Sequence, residues 1–409
     1  MRFLGKLFGR RAPTKPVRAE DRFAEVLLIA LRDRDRGLQA SYDPTRFELA
    51  HEDGHKTFLH NTFAEFQRAS EHDRAALIER FVTFIIESRR PAVSGEAALD
   101  ALIPVLRDRA GLIATYRTLA AWPHNRSARS FCETMLLMLA IDNENSIALL
   151  TDEGLAELDI SFDDALGLAT AHLNERGEHR FGQIGDGAFV STCDDYYDAS
   201  RILIPELISE LPVNGNHVAI VEARSAILIT GSEDWEGLDQ IASFAWQDFP
   251  ENERAISLTP IELRGGKWEL LAIRDDHPQS LRNLIQYQRL WSYDATKDVL
   301  QEELGDDLFV ASVMLVEQDS CAATAASWGT DVRTACPIVD AIVIEADGDF
   351  PQITRRFEDV MAICGPFPLV EAMPYPPRYA LPGRIDAECR RELTEAFPDY
   401  QFFPARPGS

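Results

Sequence analysis

Apolar residues recur along this chain at a few spacings, and each spacing predicts an element. Phe23, Val26, Leu27 and Ala30 fall three and four residues apart, which predicts a helix burying those four. Residues 46–51 and 56–59 read as strands joined at Glu52, Asp53 and Gly54, a hairpin-turn composition. Ser70 and Asp73 then form a capping pair before a helix with Leu77, Phe81, Phe84 and Ile85 on one face. The order helix–strand–strand–helix recurs. Asp195 or Asp198 caps a helix over 199–211, ended by Pro212, Asn214 and Gly215. Strands 217–222 and 226–230 follow, and Ser232 or Asp234 caps a helix carrying Leu238, Ile241 and Phe244. A third copy runs through helix 296–304, strands 309–316 and 341–345 and helix 350–363, with 320–337 as a long loop.

Between the first two copies the segment reads as mostly helical. Residues 131–140 (FCETMLLMLA) are expected to be buried, 146–151 to form a strand, and Ser161 to cap a helix. Nine of the 22 prolines lie from Pro366 onward, yet Ile385, Cys389, Leu393 and Phe397 still mark an amphipathic helix there. These elements predict an α+β fold of helix–strand–strand–helix modules, with helices packed on mainly antiparallel sheets. The expected divisions are a basic tail 1–19, a first module 20–125, a helical segment plus second module 126–275, and a C-terminal module 276–409.

Composition changes this picture mainly through charge. The 409 residues carry a formal charge of −26, although residues 1–18 hold six basic side chains and no acid. A body that acidic repels phosphate backbones, so nucleic acid is not an expected partner. The six cysteines, Cys132, Cys193, Cys321, Cys336, Cys364 and Cys389, form no CxxC pair and no dense framework. No run of about twenty apolar residues occurs, and together these features point to a cytoplasmic setting. Phe3, Leu4, Leu7 and Phe8 beside Arg2, Lys6, Arg10 and Arg11 leave two readings for residues 1–12, a tail or a weak peripheral membrane contact.

Residues 194–234 (DDYYDASRILIPELISELPVNGNHVAIVEARSAILITGSED) resemble the core signature of a bacterial family known as a domain of unknown function, DUF1444, the YtpQ-like proteins. The resemblance extends over about residues 20–275, taking in GHKTFLHNTFAEF, PVLRDRAGLIATY and SIALLTDEGLAELDISFDDALGLATAHL. It implies an α+β fold and no activity. Where that family shows arginine followed by aspartate, this chain has Arg224 followed by Ser225.

Candidate chemistry gathers in the same stretch. Asp194, Asp195 and Asp198, beside Tyr197, have the oxygen ligands for a divalent cation or for acid–base work, and they equally suit helix capping. Arg201 and Arg224 complete the candidate ligand-binding set. Arg224, between two apolar strands, belongs to a turn or ion pair, or reads a carboxylate or phosphate bidentately. His51, His55 and His60 lack metal-site spacing, and Gly182, Gly185 and Gly187 read as a hairpin rather than a phosphate loop. The acids beside Cys193 oppose thiolate formation there, and no activating partner can be named for Cys321. No catalytic set and no cofactor motif emerges. The expected role is a non-enzymatic module for a protein partner, of open oligomeric state, with a small-ligand or metal-dependent enzyme or binder, using the acidic cluster near residues 194–201 and Arg224, as the alternative.

Overall fold

The computed structural model describes residues 18–403 apart from 53–55, 88–94, 118–126, 144–145, 177–178, 194, 250–253, 330, 349 and 374, and it is an α+β protein. The basic segment before residue 18 and the hairpin tip at Asp53 and Gly54 therefore lie outside the described residues. Two compact units emerge, residues 1–93 with 142–148, and residues 94–141 with 149–409. The boundary expected at residue 125 falls inside the second.

In the first unit, helix Ala19–Arg34 buries Phe23, Ala24, Leu27 and Leu31. The buried stripe follows i, i+4, i+8, so Val26 turns outward and is 48% exposed. Strands Ala40–Asp43, Glu48–His51 and Lys56–Phe58 form an antiparallel sheet with the middle one central. Helix His60–Arg68, which sequence periodicity had not marked, brings Phe63 and Phe66 to 5.3 and 5.0 Å from the Phe23 ring. Ser70 Oγ donates to Asp73 Oδ2 at 2.6 Å just before helix Arg74–Glu87. That helix buries Ile78, Phe81, Val82 and Ile85, and leaves Phe84 exposed.

The apolar run expected within a helical segment is strand Met135–Asn143, whose residues up to Ile141 belong to the second unit, between Leu102–Asp108 and Ala128–Ser130. Its odd residues, Met135, Leu137, Leu139 and Ile141, enter one core, and Leu136, Met138 and Ala140 enter another. A strand buried on both faces loses the alternation that would have marked it. Ser161 Oγ accepts from Asp164 N at 3.1 Å and caps helix Phe162–Glu175, as expected.

Six antiparallel strands make the central sheet, in the order Lys267–Leu270, Pro260–Arg264, His217–Ala223, Ala226–Gly231, Ala188–Ser191, Phe181–Gly185. One face, through Ala219, Val221, Ile227 and Ile229, meets Phe162, Ala165 and Ala169 of the capped helix. The other, through Val218, Ile220 and Leu228, packs on helices Trp235–Asp248 and Gln279–Leu304. Asp234 accepts from Gly237 N at 2.9 Å to start the first of these. Gly185, Asp186 and Gly187 form the anticipated hairpin turn, where Gly187 has φ +73°.

Residues 199–211 do not form one helix. A 3-10 turn, Asp198–Leu203, gives way to helix Pro205–Ser209. Pro205 excludes its predecessor from the helical region, and Ile204 sits at φ −114°, ψ 78°. Further on, the helix expected at 296–304 is the end of the 26-residue Gln279–Leu304. The expected 320–337 loop is instead two strands, Cys321–Trp328 and Thr334–Pro337, and residues 350–363 begin with strand Ile353–Arg356 before helix Phe357–Cys364. The alanine-rich CAATAASW has weak strand propensity, and pairing with Met314–Gln318 and Ala341–Ile344 fixes it. Helix Ala387–Ala396 is present, with Leu393 buried. No helix among the described residues is long and apolar enough to cross a membrane.

Candidate functional site

The residues selected from sequence divide into two groups. Asp195 and Arg201 form a clamp across the 3-10 turn. Arg201 Nη1 and Nη2 donate to the two Asp195 carboxylate oxygens at 2.9 and 2.7 Å, and its Nε donates to His179 Nδ1 at 3.0 Å. His179 Nε2 in turn donates to Asn174 O at 2.9 Å, which fixes the ring's tautomer. Burial works to raise the Asp195 pKa, but the Arg201 hydrogen bonds and charge outweigh it, and the carboxyl lies below its ordinary range. Arg201 is only 1% exposed. Asp198 is buried, with Oδ1 accepting from Cys193 N at 3.0 Å, and buried Tyr197 donates its backbone N–H to Asp195 at 3.0 Å. Asp194 lies outside the described residues. The described acids of this stretch thus serve the local fold, and no group of three metal-ligating side chains occurs among the described residues.

Arg224 belongs to the second group. Strands His217–Ala223 and Ala226–Gly231 pair Ala223 with Ala226, so Arg224 and Ser225 form a two-residue turn. A register irregularity between Ile220 and Ala223 reorients the strand end, a device common beside binding sites. Backbone bonds hold the turn on two sides: Arg224 N donates to Arg254 O at 3.1 Å, and Arg224 O accepts from Ala199 N at 3.1 Å. The arginine is therefore placed by main chain, and its side chain has no salt bridge among the described residues.

Arg107 and Arg254 join it. Arg107 is the half-buried interruption in the apolar strand Leu102–Asp108, and its Nη1 donates to the adjacent Leu106 O at 2.8 Å. Burial pushes its pKa well below the ordinary arginine value, and the charges of Arg224 and Arg254 push the same way, against Tyr197 and Tyr116. Burial likewise lowers Arg224 to about 10, with Arg254 adding to the effect. Both side chains keep some accessible surface although they are strongly desolvated.

Tyrosines line the same neighbourhood. The Arg254 guanidinium lies 4.5 Å from the Tyr196 ring centroid, and that of Arg176 lies 5.0 Å from Tyr197. Tyr196 is 58% exposed and has φ +63°, an uncommon conformation for a non-glycine residue. Tyr116, at the end of helix Arg109–Tyr116, is near enough to act electrostatically on both Arg107 and Arg224. Arg107 and Arg224, from separate chain segments, are thus near enough for one charge to act on the other, and guanidiniums are the side chains suited to receiving an anion.

The other sequence candidates have local roles. His51 is buried and bonded to Thr57 Oγ1 at 2.9 Å. His55 lies outside the described residues. Burial raises the Cys193 thiol, which opposes a nucleophilic role. Sequence reasoning did not select Arg107 or Arg254. The first had a readable signal, a single cation within the apolar run LIPVLRD, whereas the second had none, because only folding brings residues 107, 224 and 254 together. No family model matches the chain, and neither a curated protein nor a solved structure resembles it.

Proposed function

We propose that this protein binds a small anion, a phosphate or carboxylate compound, beside Arg107 and Arg224. One observation carries the reading: Arg107 and Arg224 are desolvated, repel one another, and have no carboxylate partner among the described residues. A guanidinium taken out of water without a counter-ion costs several kcal/mol by the usual measure. A chain with 67 acidic residues has ample means to neutralise it. Leaving two such groups side by side makes sense where an external anion completes the site. The test is calorimetric titration with phosphate and with malonate at constant ionic strength. Saturable binding that Arg224→Gln weakens by tenfold or more supports the reading. An Arg224→Gln variant that binds like the parent refutes it.

The protein-interaction role expected from sequence retains one supporting feature. Val26 and Ile29, three residues apart on helix Ala19–Arg34, are 48% and 52% exposed. Pull-down with Val26→Lys/Ile29→Lys against the parent tests it, and an unchanged partner profile counts against that face.

A further inference from the structure

Helix Ala387–Ala396 leads into a segment that lies along a sheet edge. Phe397 ends the helix in an extended conformation, φ −132° and ψ 138°, as the following Pro398 requires. Its side chain packs on the core that holds Ile353 and Leu393, which starts the segment beside strand Ile353–Arg356. That strand is the outer member of the four-stranded sheet and pairs on its inner side with Ala341–Ile344. Thr354 meets the segment through both of its main-chain groups. The Thr354 N–H donates to Asp399 Oδ1 at 3.4 Å, and the Thr354 carbonyl accepts from Tyr400 N at 2.9 Å. The segment thus sits on the edge as an added peptide strand does, with a carboxylate standing in for one strand carbonyl.

Arg355 gives this edge a chemical preference. The residue is 3% exposed, with Nε donating to Leu393 O at 2.9 Å and Nη1 to Thr354 O at 2.8 Å. Nη1 also donates to Asp399 Oδ1, and Asp399 is its one ion-pair partner among the described residues. A guanidinium so buried requires a carboxylate, and this one comes from a side chain that is itself 70% exposed. The Arg356 guanidinium lies 5.6 Å from the Tyr400 ring centroid, and Phe402 meets Tyr400 edge-on at 5.1 Å. The edge therefore reads an acid followed by an aromatic residue. An exposed carboxylate and two main-chain bonds are a hold that a second peptide can replace. Tethering favours the chain's own segment, through an effective concentration on the order of millimolar.

We infer that the outer edge of strand Ile353–Arg356 is a docking site for an extended acidic–aromatic segment of a partner protein, and that residues 397–403 occupy it from within the same chain and compete with that partner. No residue of the proposed anion site takes part. The test is fluorescence anisotropy of a labelled synthetic peptide, FPDYQFF, the sequence of residues 397–403, titrated with the full chain. The parent is compared with Asp399→Ala/Tyr400→Ala, which loosens the occupying segment and leaves the edge strand intact, with far-ultraviolet dichroism establishing that the variant is folded. The variant is expected to bind the peptide at least tenfold more tightly than the parent does. A peptide with alanine in place of its aspartate should bind the variant at least tenfold more weakly. Asp399→Asn, which keeps an acceptor for the Thr354 N–H and loses the charge, should fall between parent and double variant. Absence of binding to the folded variants overturns the docking site. Equal binding by parent and variants overturns the competition, and equal binding of the two peptides overturns the preference for an acid. Light scattering at rising concentration separates the remaining occupant. A parent dimer that the double variant does not form would assign the edge to the same segment of a second copy and overturn the partner assignment.

Discussion

Asp108 offers the sharpest test of the energetics. It ends strand Leu102–Asp108 and caps helix Arg109–Tyr116, with Oδ1 accepting from Ala110 N at 3.1 Å and Oδ2 from Gly111 N at 2.8 Å. The indole Nε1 of Trp291, on helix Gln279–Leu304, also donates to Oδ2 at 2.9 Å. Burial raises the carboxyl to about 6, and the three hydrogen bonds, which favour the ionised form, only moderate that rise. Because the folded value lies above the ordinary 3.8, the folded state binds more protons between those two values. Stability from this group is therefore greatest below pH ~4 and is lost as pH rises through about 6. At ~1.4 kcal/mol per pH unit the span corresponds to about 3 kcal/mol.

Asp108→Asn removes the titration and keeps an acceptor at the cap, while leaving one or two donors poorly matched, at about 1–3 kcal/mol. The absolute stability of the variant is thus the sum of opposing changes. The difference in pH dependence is not: urea denaturation at pH 4.5 and 7.5 should show the parent losing about 2 kcal/mol relative to Asp108→Asn across that interval. Parallel pH profiles for parent and variant would refute the raised carboxyl and the argument that burial outweighs three donors.

Other outcomes follow from the packing. Arg201→Leu should destabilise the protein by about 3 kcal/mol in urea titrations, since it strands Asp195 beside the turn. The Asp195 contribution is present above its ordinary pKa of 3.8 and should vanish as pH falls through the lower folded value, so the variant's deficit shrinks in acid. Gly231→Ala would place a Cβ 2.0 Å from the backbone oxygen of Asn214, and a loss of about 2–3 kcal/mol is expected by the same assay. Trp328→Ala removes a side chain 1% exposed, whose Nε1 donates to Pro382 O at 2.9 Å, and should cost about 3–5 kcal/mol, read as a large fall in thermal midpoint.

Sequence legibility followed amphipathic pattern and local caps. The strands at 217–223 and 226–231, the caps at Ser161 and Asp234, and the turn at Gly185 to Gly187 were readable because each depends on residues within a few positions. The strand Met135–Asn143 was misread as part of a helical segment because burial on both faces erases its period. The strand Cys321–Trp328 was misread because small residues leave the choice to their neighbours.

The candidate site separates along the same line. The acidic run before residue 201 and the unusual position of Arg224 are properties of the sequence alone. So are the α+β class and the net negative charge. Tertiary structure decided that Asp195 and Asp198 hold the local fold, and that Arg224 lies near enough to Arg107 for its charge to be felt there. The reason is distance along the chain. Hydrogen bonds between near neighbours are written in local spacing, whereas a pair of arginines more than a hundred positions apart comes together only after the sheets have paired and packed.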